Sequence, residues 1–264
     1  MKSAATDALF ALERGLLATL QRRMPPEQSS APLLEIVRAL TLALSRGDIS
    51  LQLHDEAEVP EGIESDGWPR VHREALVASG WLEGDQSVLV LSNNTLSWRR
   101  WHGAMQELEL ELQRRCFQAP IHATPHGSTS SRRAKTNDLS PEQQSAVDAI
   151  DHYGVVLLSG GPGTGKTSTV LHMLLRAFEN QPKLRARLAA PTGKAARRLQ
   201  DAIRSHPKTA SLPGTTLHRL LEARPEGFGR HRRNPLPLDL LIVDEMSMVD
   251  LELGLALLSA LPSH

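Results

Sequence analysis

A run of residues near the middle of the chain has the types and spacing of a phosphate-binding loop. It matches the pattern G-x-x-x-x-G-K-[ST] and reads Gly160-Gly161-Pro162-Gly163-Thr164-Gly165-Lys166-Thr167. Glycines let backbone N–H groups converge on an anion, and a following helix adds the partial positive charge of its N-terminus. We expect Lys166 to reach the β- and γ-phosphates and the Thr167 hydroxyl to bind Mg²⁺. The loop, with Ser168 after it, therefore predicts a site for a nucleoside triphosphate such as ATP.

Two carboxylates follow an apolar strand later in the chain. Leu238–Val243 predicts this strand, and Asp244 and Glu245 come directly after it. In an open α/β sheet, ligands bind at the carboxyl ends of the strands, so both acids should face the phosphate loop. We predict that Asp244 holds Mg²⁺ and that Glu245 positions and activates the attacking water. Together with Lys166, these acids are the predicted catalytic residues.

Gln143, upstream of the loop, has two interpretations. Ser140 precedes a predicted helix and Gln143 stands three residues later, so a capping box explains both residues without a ligand. Alternatively, the Gln143 amide, which both donates and accepts hydrogen bonds, reads the edge of the adenine base. The spacing favours neither interpretation.

Two further segments carry hydroxyl and basic side chains at predicted helix starts. Ala190–Leu199 ends a strand and begins a helix, so its backbone N–H groups and Lys194 suit a second, extended phosphate chain. Thr215–Leu221 is a capped helical turn that bears His218. Periodicity alone favours a packing role for that histidine.

The elements that must position these residues alternate between strand and helix. Apolar runs predict strands at Val155–Leu158, Arg187–Ala190 and Leu238–Val243, and a helical pattern follows each of them. Such alternation indicates an α/β fold with a parallel sheet and helices on both faces. The first of these strands should lead into the phosphate loop.

The first half of the chain differs from the second in charge and composition. Residues 1–121 carry 12 Lys and Arg against 17 Asp and Glu, whereas residues 122–264 carry 18 against 13. The basic second half suits contact with a polyanion, and a solvated charged surface explains the same imbalance equally well. Between the halves, small, polar and basic residues predict a flexible linker. We predict a small, mostly helical N-terminal domain over 1–118, the linker over 119–137, and the α/β domain over 138–264.

The tryptophans and the single cysteine give further expectations. All four tryptophans lie in the predicted N-terminal domain, as core residues or as a surface for docking a partner: Trp68, Trp81, Trp98 and Trp101. Cys116 is the one cysteine, so no intrachain disulfide is possible and a reducing compartment is expected. No long uncharged apolar stretch predicts a membrane span. We therefore predict a cytoplasmic protein with no membrane partner.

In order, these segments resemble a known series of helicase motifs. Leu139–Gln143 resembles the adenine-reading Q motif of superfamily 1B DNA helicases. Four later segments resemble motifs I, Ia, Ib and II of the same superfamily, in this order: Gly160–Thr167, Ala190–Leu199, Thr215–Leu221 and Asp244–Asp250. Within that superfamily the chain is most similar to the RecD family, the alpha subunit of exodeoxyribonuclease V. The similarity is strong over the predicted α/β domain and less specific before it.

This resemblance implies an ATP-driven motor with a RecA-like fold that moves 5′→3′ on single-stranded DNA. In the family, it works beside a nuclease–helicase subunit and a scaffold subunit in a heterotrimer for double-strand break repair. The resemblance makes Gln143 an adenine contact and assigns four residues to the DNA side: Thr192, Lys194, Thr216 and His218. The tryptophan-bearing N-terminal half would dock on the scaffold subunit.

The family pattern continues beyond the Walker B segment at Asp244 and Glu245. It adds a strand with Gly-Asp-x-x-Gln and a second RecA-like domain, whose arginines stabilise the γ-phosphate in the transition state. We therefore expect residues 1–264 by themselves to bind Mg-ATP weakly, without hydrolysing it or unwinding DNA at a meaningful rate. Two alternatives remain: a binding module that docks through residues 1–118 without a motor role, and an unrelated P-loop ATPase of the AAA+ or transposition-helper kind.

Overall fold

The chain divides into two compact units, Met1–Met105 and Gln106–His264. The computed structural model describes residues 2–64, 66–84, 87–116, 139–161 and 163–262, with the backbone alone for residues 2–10. The division between the units falls inside one helix, Arg99–Cys116. The predicted linker over 119–137, and with it the predicted boundary at 118, lies outside the described residues.

The first unit combines helices with a small antiparallel sheet. Its elements are α1 (Lys2–Arg23), α2 (Ala31–Ser45), β1 (Ser50–Gln52), α3 (Arg70–Ala78), β2 (Leu89–Ser92), β3 (Thr95–Trp98) and the start of α4 (Arg99–Cys116). Strand β3 lies between β1 and β2 and pairs antiparallel with both. The mostly helical character predicted for this region is confirmed.

Strand β3 was not predicted, although the sequence contains a signal for it. Asn93 and Asn94 join β2 to β3, and both have positive φ angles, 50° and 61°. A two-residue hairpin turn of this kind needs positive φ at both central residues, which Asn tolerates better than most residues. The Asn-Asn pair after an apolar run therefore indicated a hairpin.

The core of the first unit explains most of its tryptophans. Trp81 is buried, and its indole N–H donates to the Met24 carbonyl oxygen at 2.9 Å. Trp68 and Trp98 are half-buried and pack against the same core. Trp101 is half-buried and carries the Arg100 guanidinium over its ring at 5.0 Å. The core interpretation therefore holds for three of the four.

The second unit is an α/β structure with a parallel sheet. After the end of α4, its elements are α5 (Pro141–Ala149), α6 (Lys166–Asn180), β4 (Ala186–Ala190), α7 (Gly193–Ile203), β5 (Gly214–Thr216), α8 (Leu217–Leu220), β6 (Ala223–Arg224), β7 (Gly227–Phe228), β8 (Leu240–Val243), a 3₁₀ turn (Met246–Met248) and α9 (Leu251–Ala260). Strand β4 lies between β5 and β8 and is parallel to both. Strands β6 and β7 form a separate short hairpin. The predicted fold class is confirmed.

Successive residues along β4 and β8 pack into two different hydrophobic cores, one on each face of the sheet. Leu188 of β4 and Ile242 of β8 belong to the core formed with α5, α6 and α7. Ala189 and Val243, one position later, belong to the core formed with α8 and α9. Because successive side chains of a strand point to opposite faces, helices cover both faces of this sheet.

The predicted strand at Val155–Leu158 is wrong. The segment is irregular, and it pairs with no other part of the chain that the structure describes. Val156 still packs on the α6 side of the core, whereas Leu157 is 86% exposed. An apolar run becomes a strand only when a neighbouring strand takes up its backbone N–H and C=O groups. Over the described ranges, β8 pairs with β4 alone and leaves its other side without a partner strand. Among the described helices, none is at once long enough and apolar enough to cross a membrane.

Candidate functional site

The phosphate loop has the backbone geometry of an anion cradle. Gly163 and Gly165 both have left-handed φ angles, 79° and 78°, which side-chain-bearing residues rarely adopt. Gly165 is the residue from which α6 begins. Pro162 lies outside the described residues. The glycine-rich sequence thus turns the chain sharply into the N-terminus of a helix.

The first turn of α6 carries no side-chain cap, which it shares with α3 but which distinguishes it from five other helices. Helices α2, α5, α7, α8 and α9 each begin at a Ser, Thr or Asp whose side chain accepts a backbone N–H of the first turn. Helix α6 has no such side-chain cap. Its first N–H groups therefore remain available to an anion, and the helix dipole favours negative charge there.

Lys166 is held inside the loop by loop carbonyls. Its ammonium donates to the carbonyl oxygens of Gly160, at 2.5 Å, and Gly161, at 2.9 Å. The Thr164 hydroxyl also donates to the Gly161 oxygen, at 2.9 Å. Hydrogen bonds from an ammonium to phosphate are stronger than those to a neutral carbonyl, so a phosphate in the cradle would draw Lys166 away from these carbonyls.

Gln143 forms the predicted capping box. Its Oε1 accepts the Ser140 backbone N–H at 2.9 Å, and its own backbone N–H donates to Ser140 Oγ at 3.3 Å. In addition, Gln143 Nε2 donates to the Thr164 carbonyl oxygen at 3.1 Å. That last bond connects α5 to the phosphate loop. Local spacing contains no signal for it, because it joins residues far apart in the chain.

Asp244 and Glu245 lie at the carboxyl end of β8, as predicted. The Asp244 backbone N–H continues the ladder to the Ala189 oxygen at 3.0 Å, and its Oδ1 accepts the Glu245 N–H at 2.9 Å. Glu245 is exposed and left-handed, with φ 56° and ψ 42°. Such backbone strain in a non-glycine residue occurs preferentially at functional sites. In the described part of the chain, no hydrogen bond joins either acid to the phosphate loop.

The oxygen donors at this edge suit Mg²⁺. Asp244 offers a carboxylate and Thr167 a hydroxyl in the first turn of α6, which is exposed. No cluster of three or more His, Cys, Asp or Glu side chains placed to hold a metal occurs among the described residues. A site with few protein ligands is suitable for Mg²⁺, because this ion keeps several waters and is bound largely through substrate phosphates.

Thr192 and Thr216 lie side by side at the same edge of the sheet. In the strand register Ala190 of β4 is opposite Thr216 of β5, and a Cβ on Gly193 would be 4.0 Å from the Thr216 methyl. Each threonine caps the helix that follows it, accepting an N–H at 3.2 Å. A hydroxyl that accepts a capping bond still has its own hydrogen to donate, so both caps remain able to bind phosphate.

Lys194 and His218 are both exposed near these caps. Lys194 lines an open hollow with Arg197, Arg198 and Asp201 along α7. The His218 ring centroid is 6.4 Å from that of Phe228, at the β6–β7 hairpin. The imidazole therefore lies at the surface, outside the core that periodicity had favoured.

A buried ion pair fixes α6, and with it the loop, against α5. Asp151 is buried, and its carboxylate accepts Arg176 Nη2 at 2.8 Å and Asn180 Nδ2 at 2.7 Å. The hydrogen bond to Asp151 raises the pKa of Arg176 above its ordinary value, against the opposing effect of burial. At the N-cap of α5, a hydrogen bond from the Ser140 hydroxyl lowers the pKa of Glu142.

Comparison with known proteins finds one matching domain family and several RecD relatives. The AAA domain family matches residues 143–264. The RecBCD enzyme subunit RecD of Mycolicibacterium smegmatis is 35% identical over 251 residues, which cover 86% of this chain and 43% of that protein. The ATP-dependent RecD2 DNA helicase of Deinococcus radiodurans is 45% identical over 124 residues, or 47% of this chain and 16% of that protein.

A third relative extends the pattern. The RecBCD enzyme subunit RecD of Mycobacterium tuberculosis is 42% identical over 147 residues, covering 47% of this chain and 26% of the relative. The chain thus spans less than half the length of each of these curated relatives. The resemblance to RecD proteins that the motifs indicated is confirmed by these relatives.

Proposed function

We propose that this chain is part of an ATP-dependent 5′→3′ DNA helicase subunit of a RecBCD-type exodeoxyribonuclease V, which acts in double-strand break repair. This role places it with the DNA in the cytoplasm. Its partners are single-stranded DNA and the scaffold and nuclease–helicase subunits. Two relatives named as RecBCD subunits and one named as an ATP-dependent DNA helicase support the proposal.

The observation that carries the proposal is the uncapped start of α6. Two left-handed glycines precede it, and Lys166 is its first residue. This arrangement combines free backbone N–H groups, the helix dipole and one ammonium at a single point. Its chemistry matches the polyphosphate chain of a nucleotide better than any smaller or neutral ligand.

Each predicted residue takes a distinct role in this proposal. The nucleotide is held by residues 160–168, where Lys166 exchanges its loop carbonyls for the β- and γ-phosphates. Gln143 has one N–H and one acceptor lone pair left beyond its bonds in the structure, and it uses them to read adenine. Mg²⁺, held by Thr167 and Asp244, supplies charge neutralisation at the phosphates when bound.

Hydrolysis requires a base beside the attacking water. Glu245 takes this role, because its exposed carboxylate stands at the end of β8 next to Asp244. A base positioned in this way typically contributes about 10²–10⁴-fold to the rate. The left-handed backbone at Glu245 sets the direction in which the carboxylate leaves the strand.

The DNA side lies at the carboxyl ends of β4 and β5. Thr192 and Thr216 offer hydroxyls to the DNA backbone, and Lys194 supplies a positive charge. His218 is exposed in the same region, where an imidazole face suits stacking on an unpaired base. These contacts would recognise backbone and base faces rather than a sequence.

Titration of Mg-ATP into the chain tests the proposal. We expect saturable binding that Lys166→Ala weakens about 10- to 100-fold, the loss of one charge-assisted hydrogen bond. Lys183→Ala is the matched control. Lys183 is exposed beyond the far end of α6, which is about 22 Å long, so its removal should leave the affinity unchanged. Equal effects of the two substitutions would contradict the proposed site.

A further inference from the structure

The Gln143 side chain contacts the phosphate loop at the peptide that begins α6. Its Nε2 donates to the Thr164 carbonyl oxygen at 3.1 Å, and a Cβ on Gly165 would lie 2.5 Å from the same nitrogen. Gly165 therefore has two reasons to be glycine: its left-handed φ of 78°, and the amide that fills the space beside it. The other end of the Gln143 amide is held by Ser140.

Fixing the Thr164 carbonyl also fixes the next N–H group. A trans peptide is planar, and its C=O and N–H groups point in opposite directions. Because the Thr164 oxygen faces Gln143, the Gly165 N–H points away from α5. Within the described ranges this N–H donates to no protein acceptor. It is thus held ready, at the helix start, for an external anion.

We propose that Gln143 is a positioning residue for the phosphate loop: its amide sets the Thr164–Gly165 peptide so that the Gly165 N–H faces the bound polyphosphate. The proposal rests on the triphosphate site proposed above. It assigns Gln143 a role that does not depend on the adenine base of the ligand, in addition to reading adenine. Loss of the side-chain donor frees this peptide to rotate, and any polyphosphate then binds less tightly.

Inorganic tripolyphosphate separates the two roles, because it carries the phosphate chain without adenine. The full chain and Gln143→Met, a neutral side chain of similar length, would be titrated with Mg-ATP and with Mg-tripolyphosphate. We expect Gln143→Met to weaken both ligands, tripolyphosphate by about three- to tenfold, which corresponds to one net hydrogen bond. Amide hydrogen exchange of residues 163–165 should accelerate in the same variant.

Gln200→Met is the matched control. Gln200 Nε2 also donates to a backbone oxygen, that of Leu212 at 3.1 Å, but on α7 and away from the loop. Its substitution removes the same kind of bond and should leave both affinities unchanged. Circular dichroism and the thermal midpoint of each variant would establish that it is folded.

Each outcome decides the matter. Weaker tripolyphosphate binding in Gln143→Met alone supports the positioning role. Weaker ATP binding with unchanged tripolyphosphate binding overturns it and leaves adenine reading as the only role. Equal losses in Gln200→Met also overturn it. If the wild-type chain binds neither ligand, the proposed function itself fails, and that result is distinct from the other three.

Discussion

The two left-handed glycines of the phosphate loop allow a quantitative test of the structure. Gly163 and Gly165 have nearly the same φ, 79° and 78°. A Cβ on Gly163 would meet nothing within 4 Å, whereas a Cβ on Gly165 would lie 2.5 Å from Gln143 Nε2. Replacing each by alanine therefore applies the same backbone penalty at both sites and adds a steric one at Gly165 only.

The expected magnitudes follow from these contacts. A left-handed alanine costs about 1–2 kcal/mol in either variant. At Gly165 the flexible Gln143 amide must also swing away and lose its bond to Thr164, which costs about 0.5–1.5 kcal/mol more. Alanine also stiffens the unfolded chain, but it does so equally at the two sites, so this effect cancels in the comparison. Gly165→Ala should thus exceed Gly163→Ala by about 1 kcal/mol.

The energetic cost of each glycine substitution is measured in two ways, by the free energy of unfolding and by the affinity for Mg-ATP. If the free loop keeps its conformation, the loss appears in the free energy of unfolding. If the free loop relaxes, the loss appears in Mg-ATP affinity. Unfolding in urea should be followed by far-ultraviolet circular dichroism, because all four tryptophans lie in the first unit and do not report on the loop.

The double variant Gly165→Ala, Gln143→Ala provides the internal check. With the amide already gone, the extra loss at Gly165 should disappear and leave the backbone cost alone. Equal losses for the two single glycine variants, or no coupling between Gly165 and Gln143, would refute the contact on which this reasoning depends.

Two further predictions concern the DNA side and the stability of the second unit. Lys194→Ala should weaken single-stranded DNA binding and reduce the slope of log affinity against log salt by about 0.7, whereas the distant Lys183→Ala should leave the slope unchanged; equal slopes would argue against a phosphate contact at Lys194. Asp151→Ala should lower the urea-unfolding free energy of this unit by about 2–3 kcal/mol. This is less than for a fully buried ion pair because the Arg176 side chain is 28% exposed, and a loss below about 0.5 kcal/mol would contradict the ion pair's structural role.

Local sequence signals were sufficient for much of the fold. The start of α5 followed from Ser140, whose side chain caps that helix as its type predicts. In the structure, Ser30 and Asp250 cap α2 and α9 in the same way. Helix α6 followed from the glycine loop and the apolar periodicity after it. These signals lie within a few residues of the feature they specify, so neither partner strands nor distant contacts are needed to read them.

The failures concern pairing between distant segments. Val155–Leu158 is as apolar as β8, yet it is not a strand, because strand formation requires a neighbour that local sequence does not reveal. Short β5 was missed for the converse reason: Gly214–Thr216 has little apolar character, but it lies along β4 and takes its ladder bonds there.

In the candidate site, too, features that depend on local spacing were predicted and contacts between distant segments were not. The loop residues and the two acids were identified from their spacing, whereas the bond from Gln143 to Thr164 was not. That contact joins α5 to the phosphate loop, and it depends on how α5 packs against α6. Likewise, the proximity of Thr192 to Thr216 follows from the register that places Ala190 opposite Thr216, and not from either segment alone.

The central claim is that residues 160–168 bind a nucleoside triphosphate, and a structure of the chain with a non-hydrolysable Mg-ATP analogue measures this most directly. The account predicts that Lys166 Nζ leaves the carbonyl oxygens of Gly160 and Gly161 and contacts the triphosphate, while the Gly165 N–H donates to it. A nucleotide bound elsewhere, or one bound while Lys166 keeps both carbonyl contacts, would contradict the account.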